Sequence, residues 1–439
     1  MPDVPWAHQK KGGASMSKKK SSLAGLQALY ARVCGLDVHK KLVVACVRIL
    51  NSKDGTVQST LRRFGTMTAD LVDLRQWLRE QQVTHAAMES TGVYWQPVFN
   101  LLEGHLEVWV VNAQHIKKVP GRKTDMKDAE WIAQLMQCGL LKPSFVPERQ
   151  QRELRDLTRQ QSKLVQQRNA VDNRIQKVLE TANIKLGSVA SDVLGVSGRK
   201  MIEGLIGGEK DISVLADLAQ KRLREKIPQL QRALEGEVSD HHRFLLRQLL
   251  DQYDFLEKEI VRVSERLGAV APPSFRAAVE QLDAIAGVGE RGARALLAET
   301  GTDMSRFPSH KHFASWAGRC PGNRESAGKR KSGKTPAANR HLDAVLTEMA
   351  HAAVRKKDSY FKSQYHRLAG RRGKKRAIGA VKHSLLVTVY FMLRDHKPYK
   401  DLGVDYFDKL NPQHQIRYHV RKLKDLGQKV ELSPLADAA

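Results

Sequence analysis

Four acidic residues in the first third of the chain stand where acids are costly or directional. Asp37 interrupts the apolar run ARVCGLDVHK between Leu36 and Val38. Strand propensity disfavours Asp there, and a buried carboxylate is costly unless it is paired or bound to a metal. Glu89 closes a second apolar stretch, AAMES. Asp125 and Asp128 lie three apart at the start of KTDMKDAEWIAQLMQCG, an expected helix in which that spacing puts both on one face. Two acids at strand ends and two on one helical turn can converge on divalent ions, and carboxylate oxygens are the donors that Mg²⁺ (or Mn²⁺) takes. Two such ions about 4 Å apart can activate an attacking oxygen and stabilise a leaving one in phosphodiester cleavage. Each acid taken singly also has a plainer role: Asp125 suits the positive end of a helix dipole, and Asp37 could cap a turn.

A hydroxyl forms the second candidate centre. In GNRESAGKRKSGKTPAANR, Ser326 follows Glu325, and Arg324, Lys329, Arg330, Lys331 and Lys334 surround it, with Arg340 beyond. A serine needs activation, from a neighbouring carboxylate or a metal ion. The cations would neutralise charge building on a phosphate. Ser332 lies six residues on, also among Lys and Gly. On its residues alone the loop is a phosphate contact. Gly287 and Gly289, in LDAIAGVGERGARALLAETG, make a tight turn before a helix. That turn either offers backbone N–H groups to a phosphate or is a plain helix–helix connection with a Gly cap. RLAGRRGKKRAIG, with Arg371, Arg372, Lys374, Lys375 and Arg376, is a nucleic-acid strip, as are Arg122 and Lys123 beside the acidic helix. Tyr360, Phe361 and Tyr365 nearby either stack on bases or pack in the core.

Three short strand-like runs open the region that must hold the acids: the apolar ARVCGLDVHK, the Val- and Ile-rich KLVVACVRIL, and STLRRFGT. TADLVDLRQWLREQQ follows with helical spacing and Thr68 as N-cap. VTHAAMES (strand), VYWQPVFNLLEG (helix), LEVWVVNA (strand) and the acidic helix complete a mixed α/β sheet. Residues 150–268 are helical and highly charged. Leu154, Leu157, Gln161, Leu164, Arg168, Val171, Ile175 and Val178, and then Leu249, Tyr253, Leu256, Ile260, Val263 and Leu267, recur by threes and fours. This heptad spacing fits pairing as a hairpin, between chains, or both, or an ordinary bundle. The piece 184–220 has no assignable pattern. The expected fold is multidomain: a flexible basic tail (1–32), an α/β domain with a mixed sheet (33–147), a helical coiled-coil segment (148–270), a mostly helical domain with the serine loop (271–400) and an appendage (401–439).

With 74 Lys and Arg against 47 Asp and Glu, the 439-residue chain carries +27. Residues 320–400 hold 20 basic and 5 acidic residues, a concentration that a merely solvated surface does not need. A polyanion partner follows, nucleic acid before an anionic membrane. At 41% hydrophobic residues wholesale disorder is excluded. The polar, basic start and the absence of a long apolar run predict a soluble, cytoplasmic, nucleoid-associated protein. None of the four cysteines, Cys34, Cys46, Cys138 and Cys320, forms a CxxC pair, so neither a zinc knuckle nor a disulfide framework is expected. No GxxxxGK(S/T) phosphate loop is present. GLDVH is similar to the first phosphate loop of actin-like kinases, but His39 and Lys40 stand where that loop needs Gly and Thr.

GLDVHK, then MESTGVYWQPV, then VVNAQHIKKVPGRKTDMKDAEWIAQL, in this order, resemble the DEDD-type transposases of bacterial insertion sequences, the recombinases whose element encodes a bridge RNA. The resemblance runs from about residue 33 to 400. It implies an N-terminal RNase H-like domain similar to Holliday-junction resolvases (RuvC-like), with the metal tetrad on Asp37, Glu89, Asp125 and Asp128. LDAIAGVGERGARALLAETG and FASWAGRCPGNRESAGKRKSGKTPAANRHL resemble the family's transposase domain, which places the nucleophilic serine at Ser326, with Ser332 in reserve. The resemblance further implies a covalent phosphoserine link to DNA, strand exchange through a Holliday junction, a bridge RNA that pairs with donor and target DNA, and a tetrad and serine contributed by different protomers of a dimer, or of a tetramer at the synapse. Base pairing would then choose sequence while the protein reads shape and backbone. Two rival functions are a hydrolytic junction endonuclease with the same tetrad, and a non-catalytic nucleic-acid-binding protein.

Overall fold

The computed structural model describes residues 27–433 apart from 52, 91, 114–115, 117–127, 323, 334, 336–338 and 411. The basic tail, Arg122, Lys123, Asp125 and Lys334 therefore lie wholly or largely outside the described residues. Two compact units divide the chain, one ending at Val146 and one starting at Pro147.

The first unit is built on five strands: β1 (Arg32–Val38), β2 (Val43–Leu50), β3 (Val57–Phe64), β4 (His85–Glu89) and β5 (Glu107–Val111). Their order is β3-β2-β1-β4-β5. β1, β2 and β3 pair antiparallel, while β4 joins β1 and β5 joins β4 in parallel. This meander followed by parallel crossovers is the mixed sheet expected from the residues and the RNase H-like arrangement that the resemblance implies. Helices α1 (Thr68–Glu80), α2 (Trp95–Leu102) and α3 (Asp128–Gln137) cover the sheet. Side chains alternate along β1. Cys34, Leu36 and Val38 pack with Leu74 and Leu78 of α1 and Phe99 and Leu102 of α2. Val33 faces the other way, with Ala87 of β4, onto Trp131, Ile132 and Met136 of α3. Burial on both faces explains why β1 is an unbroken apolar run up to its acid. The expected cap of α1 shifts by one residue. Met67 precedes the helix and Thr68 is its first residue, because the Asp70 carboxylate turns back to accept the Met67 N–H at 3.1 Å.

The second unit opens with α4 (Arg149–Thr181), runs through the short helices α5 (Val196–Ile206), α6 (Ile212–Asp217) and α7 (Ile227–Leu234), and returns along α8 (Asp240–Val270). The formerly patternless piece 184–220 thus supplies part of a small helical cluster whose core includes Leu186, Met201, Ile202, Leu215 and Leu230. α4 and α8 are antiparallel partners within one chain. Gln161 donates to Ser264 at 2.5 Å and Arg168 to Glu257 at 2.6 Å, seven residues apart on each helix. The polar residues at core positions therefore pair with each other and fix register.

The remainder is α9 (Pro273–Asp283), α10 (Gly289–Thr300), α11 (His310–Trp316), a hairpin of β6 (Arg324–Ser326) and β7 (Lys329–Ser332), then α12 (Arg340–Ala353), α13 (Tyr360–Arg372), α14 (Lys374–Asp395), α15 (Tyr406–Lys409) and α16 (Pro412–Asp425). α14 is the one described helix long and apolar enough to cross a membrane, but Val381, Leu385, Leu386 and Val389 are spent on the core that they share with α9, α10 and α12. Phe361 is buried in that core and Tyr360 and Tyr365 pack against it, which settles the aromatic cluster as packing.

Candidate nucleic-acid-processing sites

Strand register brings Asp37 and Glu89 together. β1 and β4 run parallel with Leu36 opposite Met88, so the next residues, Asp37 and Glu89, occupy equivalent positions on neighbouring strands. Leu36 and Met88 both face the α1 side; their successors face the α3 side. Adjacent strands lie about 4.8 Å apart, so the two carboxylates begin as close as two strands allow. Both residues are half-buried.

The third acid arrives on α3. A Cβ on Gly35 would lie 2.1 Å from the Ala129 carbonyl oxygen and 2.4 Å from the Ala133 nitrogen. Only glycine lets the helix backbone touch the strand here. Gly35 lies under residues 129 and 133, and Val33 belongs with Ile132 and Met136, so α3 runs antiparallel to β1 and starts over its C-terminal end. Its first residue is the exposed Asp128. Sequence spacing alone missed Gly35, although a glycine inside an apolar strand signals close backbone approach. His39, just past β1, holds Asp37 Oδ2 at 3.1 Å through Nε2. Among the described residues no three His, Cys, Asp or Glu side chains form a ready-made metal cluster; Asp125, the fourth acid singled out in the sequence, lies outside them. The donor set is all carboxylate, at the rim of a sheet, which fits a hard divalent cation.

Ser326 ends β6 at the tip of an exposed hairpin. Ala327 (φ 49°) and Gly328 (φ 71°) form the two-residue turn, and Lys329 pairs directly with Ser326. Cross-strand partners share a face, with Cβ atoms about 5 Å apart. Glu325 instead pairs with Arg330 and points to the opposite face from Ser326. The neighbouring carboxylate is thus turned away from the hydroxyl, while Lys329 is beside it. Ser332 pairs with Arg324 at the hairpin base.

Two nodes that sequence reading missed gather the ends of the serine segment. Glu299, only 2% exposed, accepts from Arg159 at 2.7 and 3.0 Å and from Asn339 at 2.6 Å, and Arg155 lies 3.2 Å away. Asn339 also caps α12, accepting from the His341 and Leu342 N–H groups. Asp343, one turn on, meets Arg319 and Lys382, each at 2.8 Å. The one available signal was an acid in the otherwise apolar ALLAET.

Gly287 (φ 83°) has no room for a side chain, since a Cβ would lie 2.2 Å from the Ala353 nitrogen. Gly289 (φ 62°) faces open space at the start of α10. It borders a cleft of about 420 Å³ that Arg159, Asn169, Arg291 and His341 also line. Arg340 is exposed at the start of α12. Arg371 and Arg372 end α13, Gly373 turns the chain at φ 81°, and Lys374, Lys375 and Arg376 begin α14, all exposed. Cations at a helix N-terminus oppose its dipole, so stability does not account for them.

Residues 34–184 match a family model of IS110-type DEDD enzymes described as "Transposase", and residues 279–366 match a second, "Transposase IS116/IS110/IS902 family". The chain belongs to the IS110-type DEDD transposases. A "Probable family 20 transposase" of Pseudomonas aeruginosa is 26% identical over 286 residues, 64% of this chain and 75% of that one. A solved "Thermus thermophilus RuvC structure" aligns over 26% of this transposase and 99% of that chain, at 15% identity and a TM-score of 0.20. The first match contains the described acids Asp37, Glu89 and Asp128, and the second contains Ser326. A transposase cuts and rejoins DNA, which is therefore its substrate class.

Proposed function

We propose that this transposase recombines donor and target DNA through a covalent phosphoserine intermediate, guided by a structured RNA. The observation that carries the reading is the in-register pair Asp37 and Glu89 at the C-terminal ends of β1 and β4 beneath the start of α3, because it gathers carboxylates of the kind that hold a divalent cation. Asp37, Glu89, Asp125 and Asp128 would hold Mg²⁺, which supplies positive charge to a phosphate when bound. Ser326 Oγ attacks the phosphorus of the scissile linkage. A Ser–O–P bond forms, the bond to the leaving strand breaks, the hydroxyl proton passes to solvent and the departing oxygen is protonated. Lys329, sharing the face of Ser326, favours the alkoxide and neutralises charge on the phosphate oxygens. Reversing the attack with a different strand end rejoins DNA without ATP, since the phosphoserine stores the bond. Exchange of strands in two rounds passes through a Holliday junction, with carboxylates and serine supplied by different protomers of the oligomer.

Guidance by a bridge RNA is supported by the +27 charge and by the exposed cations around Gly373, which suit an RNA backbone. The start of α10 at Gly289, which borders the cleft lined by Arg159 and Arg291, would be a further phosphate contact.

The test combines recombination with and without the noncoding RNA from beside the gene and trapping of the protein–DNA adduct on a nicked substrate. Ser326→Ala should lose the adduct and keep DNA binding. An active wild-type protein that never forms an adduct would make the enzyme a hydrolytic junction nuclease. Strand exchange retained in Ser326→Ala would move the nucleophile to Ser332. Unchanged recombination without RNA would remove the guide.

A further inference from the structure

The serine hairpin is exposed and short, and a two-stranded ribbon of this kind is marginally stable by itself. Its geometry must come from its roots. Both roots end on the first turn of α12. On the incoming side Arg319 reaches Asp343 at 2.8 Å, and the same carboxylate is held by the buried Lys382 of α14. On the outgoing side Asn339 donates to Glu299 Oε2 at 2.6 Å while its own oxygen caps α12. Glu299 is fixed in turn by the two N–H···O bonds from Arg159 of α4. Arg155, also of α4, bonds the Ala298 and Glu299 carbonyls at the end of α10. A carboxylate this buried would be expensive without such partners. Helices α10 and α12 need no acid at this point to pack, since Ala293, Leu296, Leu342 and Leu346 already do so.

We propose that Glu299, Asn339, Arg319 and Asp343 are positioning residues that fix both roots of the Ser326 segment and thereby set the reach of its hydroxyl. This rests on the assignment of Ser326 as the nucleophile.

The test uses the full chain. Asn339→Asp keeps the cap acceptor but removes the N–H donor and sets an acid against Glu299. Amide hydrogen exchange in 324–332 should speed up about tenfold, as should follow from losing one hydrogen bond to a charged group. Adduct formation on bound DNA should slow about tenfold, with DNA affinity within about twofold of wild type. Asn339→Ser, which keeps the cap acceptor without setting a second acid against Glu299, should raise exchange and slow the adduct less than Asn339→Asp, in the same order and at unchanged DNA affinity; a merely structural effect would lower affinity as well. Should Asn339→Asp fail to fold, Arg319→Gln loosens the other root and is read by the same measurements. Hairpin exchange unchanged in the folded variants, or adduct rates that do not follow it, overturns the inference. Exchange raised in the variants of a protein whose wild type forms no adduct overturns the serine assignment alone and upholds the anchorage.

Discussion

Gly35→Ala is the smallest change that should separate the acids of the N-terminal unit. The added Cβ would sit 2.1 Å from the Ala129 carbonyl oxygen, 2.4 Å from the Ala133 nitrogen and 3.0 Å from the Ala133 Cα. Ordinary contact starts near 3.4 Å, so α3 must rise from β1 by about 1 Å. The obstructing atoms are helix backbone, which cannot rotate aside, and the strand beneath is paired on both edges by β2 and β4. Overpacking of this kind costs about 3 kcal/mol, the upper end of the usual range. The same lift moves Asp128, at the start of α3, away from Asp37 and Glu89. A misplacement of about 1 Å at a reacting centre lowers rate about 100-fold. Thermal unfolding of the full chain should therefore show a less stable first unit, and Mg²⁺-dependent cleavage of a DNA junction should fall about 100-fold, while affinity for DNA changes less than about threefold. Wild-type cleavage by a Gly35→Ala protein would refute the idea that the contact between Gly35 and α3 sets the acidic site.

Asp128→Asn, which preserves shape and helix start, should abolish cleavage and strand exchange in a recombination assay while leaving RNA binding within a few fold. Replacing Lys374 and Lys375 together by Ala should lower the slope of log affinity for duplex against log salt by about 2, since each phosphate contact contributes about 0.9. Burial, with His310 beside it, holds His383 below the ordinary histidine range. His383 therefore stays neutral in the fold, takes up a proton more readily on unfolding, and makes stability fall as pH drops from about 6.5 through its lowered value. His383→Gln should flatten that part of the stability–pH curve in denaturant titrations.

The first unit was legible because its signals are periodic. Apolar runs of strand length, separated by a helical pattern with Leu71, Leu74 and Leu78, give the observed order of elements. Asp37 and Glu89 stood out because acids rarely end such runs. Their convergence needed the parallel register of β1 and β4, which only tertiary pairing determines. The Ser326 hairpin was not legible as strands. ESAGKRKS has no apolar alternation, and Ala327 sits in a left-handed conformation that the sequence does not advertise. Glu299 was hidden for the opposite reason. It follows the apolar run ALLA at the end of α10, and its partners Arg155 and Arg159 come from about 140 residues earlier, a separation that local pattern cannot bridge.

The antiparallel pair of α4 and α8 also sets a scale. At 33 residues, α4 is about 50 Å long. It starts in one hydrophobic core, at Leu154, and finishes in another, at Ile175 and Leu179. Gln161 with Ser264 and Arg168 with Glu257 set the register of its rails, since a slip by a turn breaks both pairs. It is therefore a ruler rather than a hinge. Inserting one heptad into each helix would lengthen it by about 10 Å, the rise of three base pairs, and would leave every pairing along it intact.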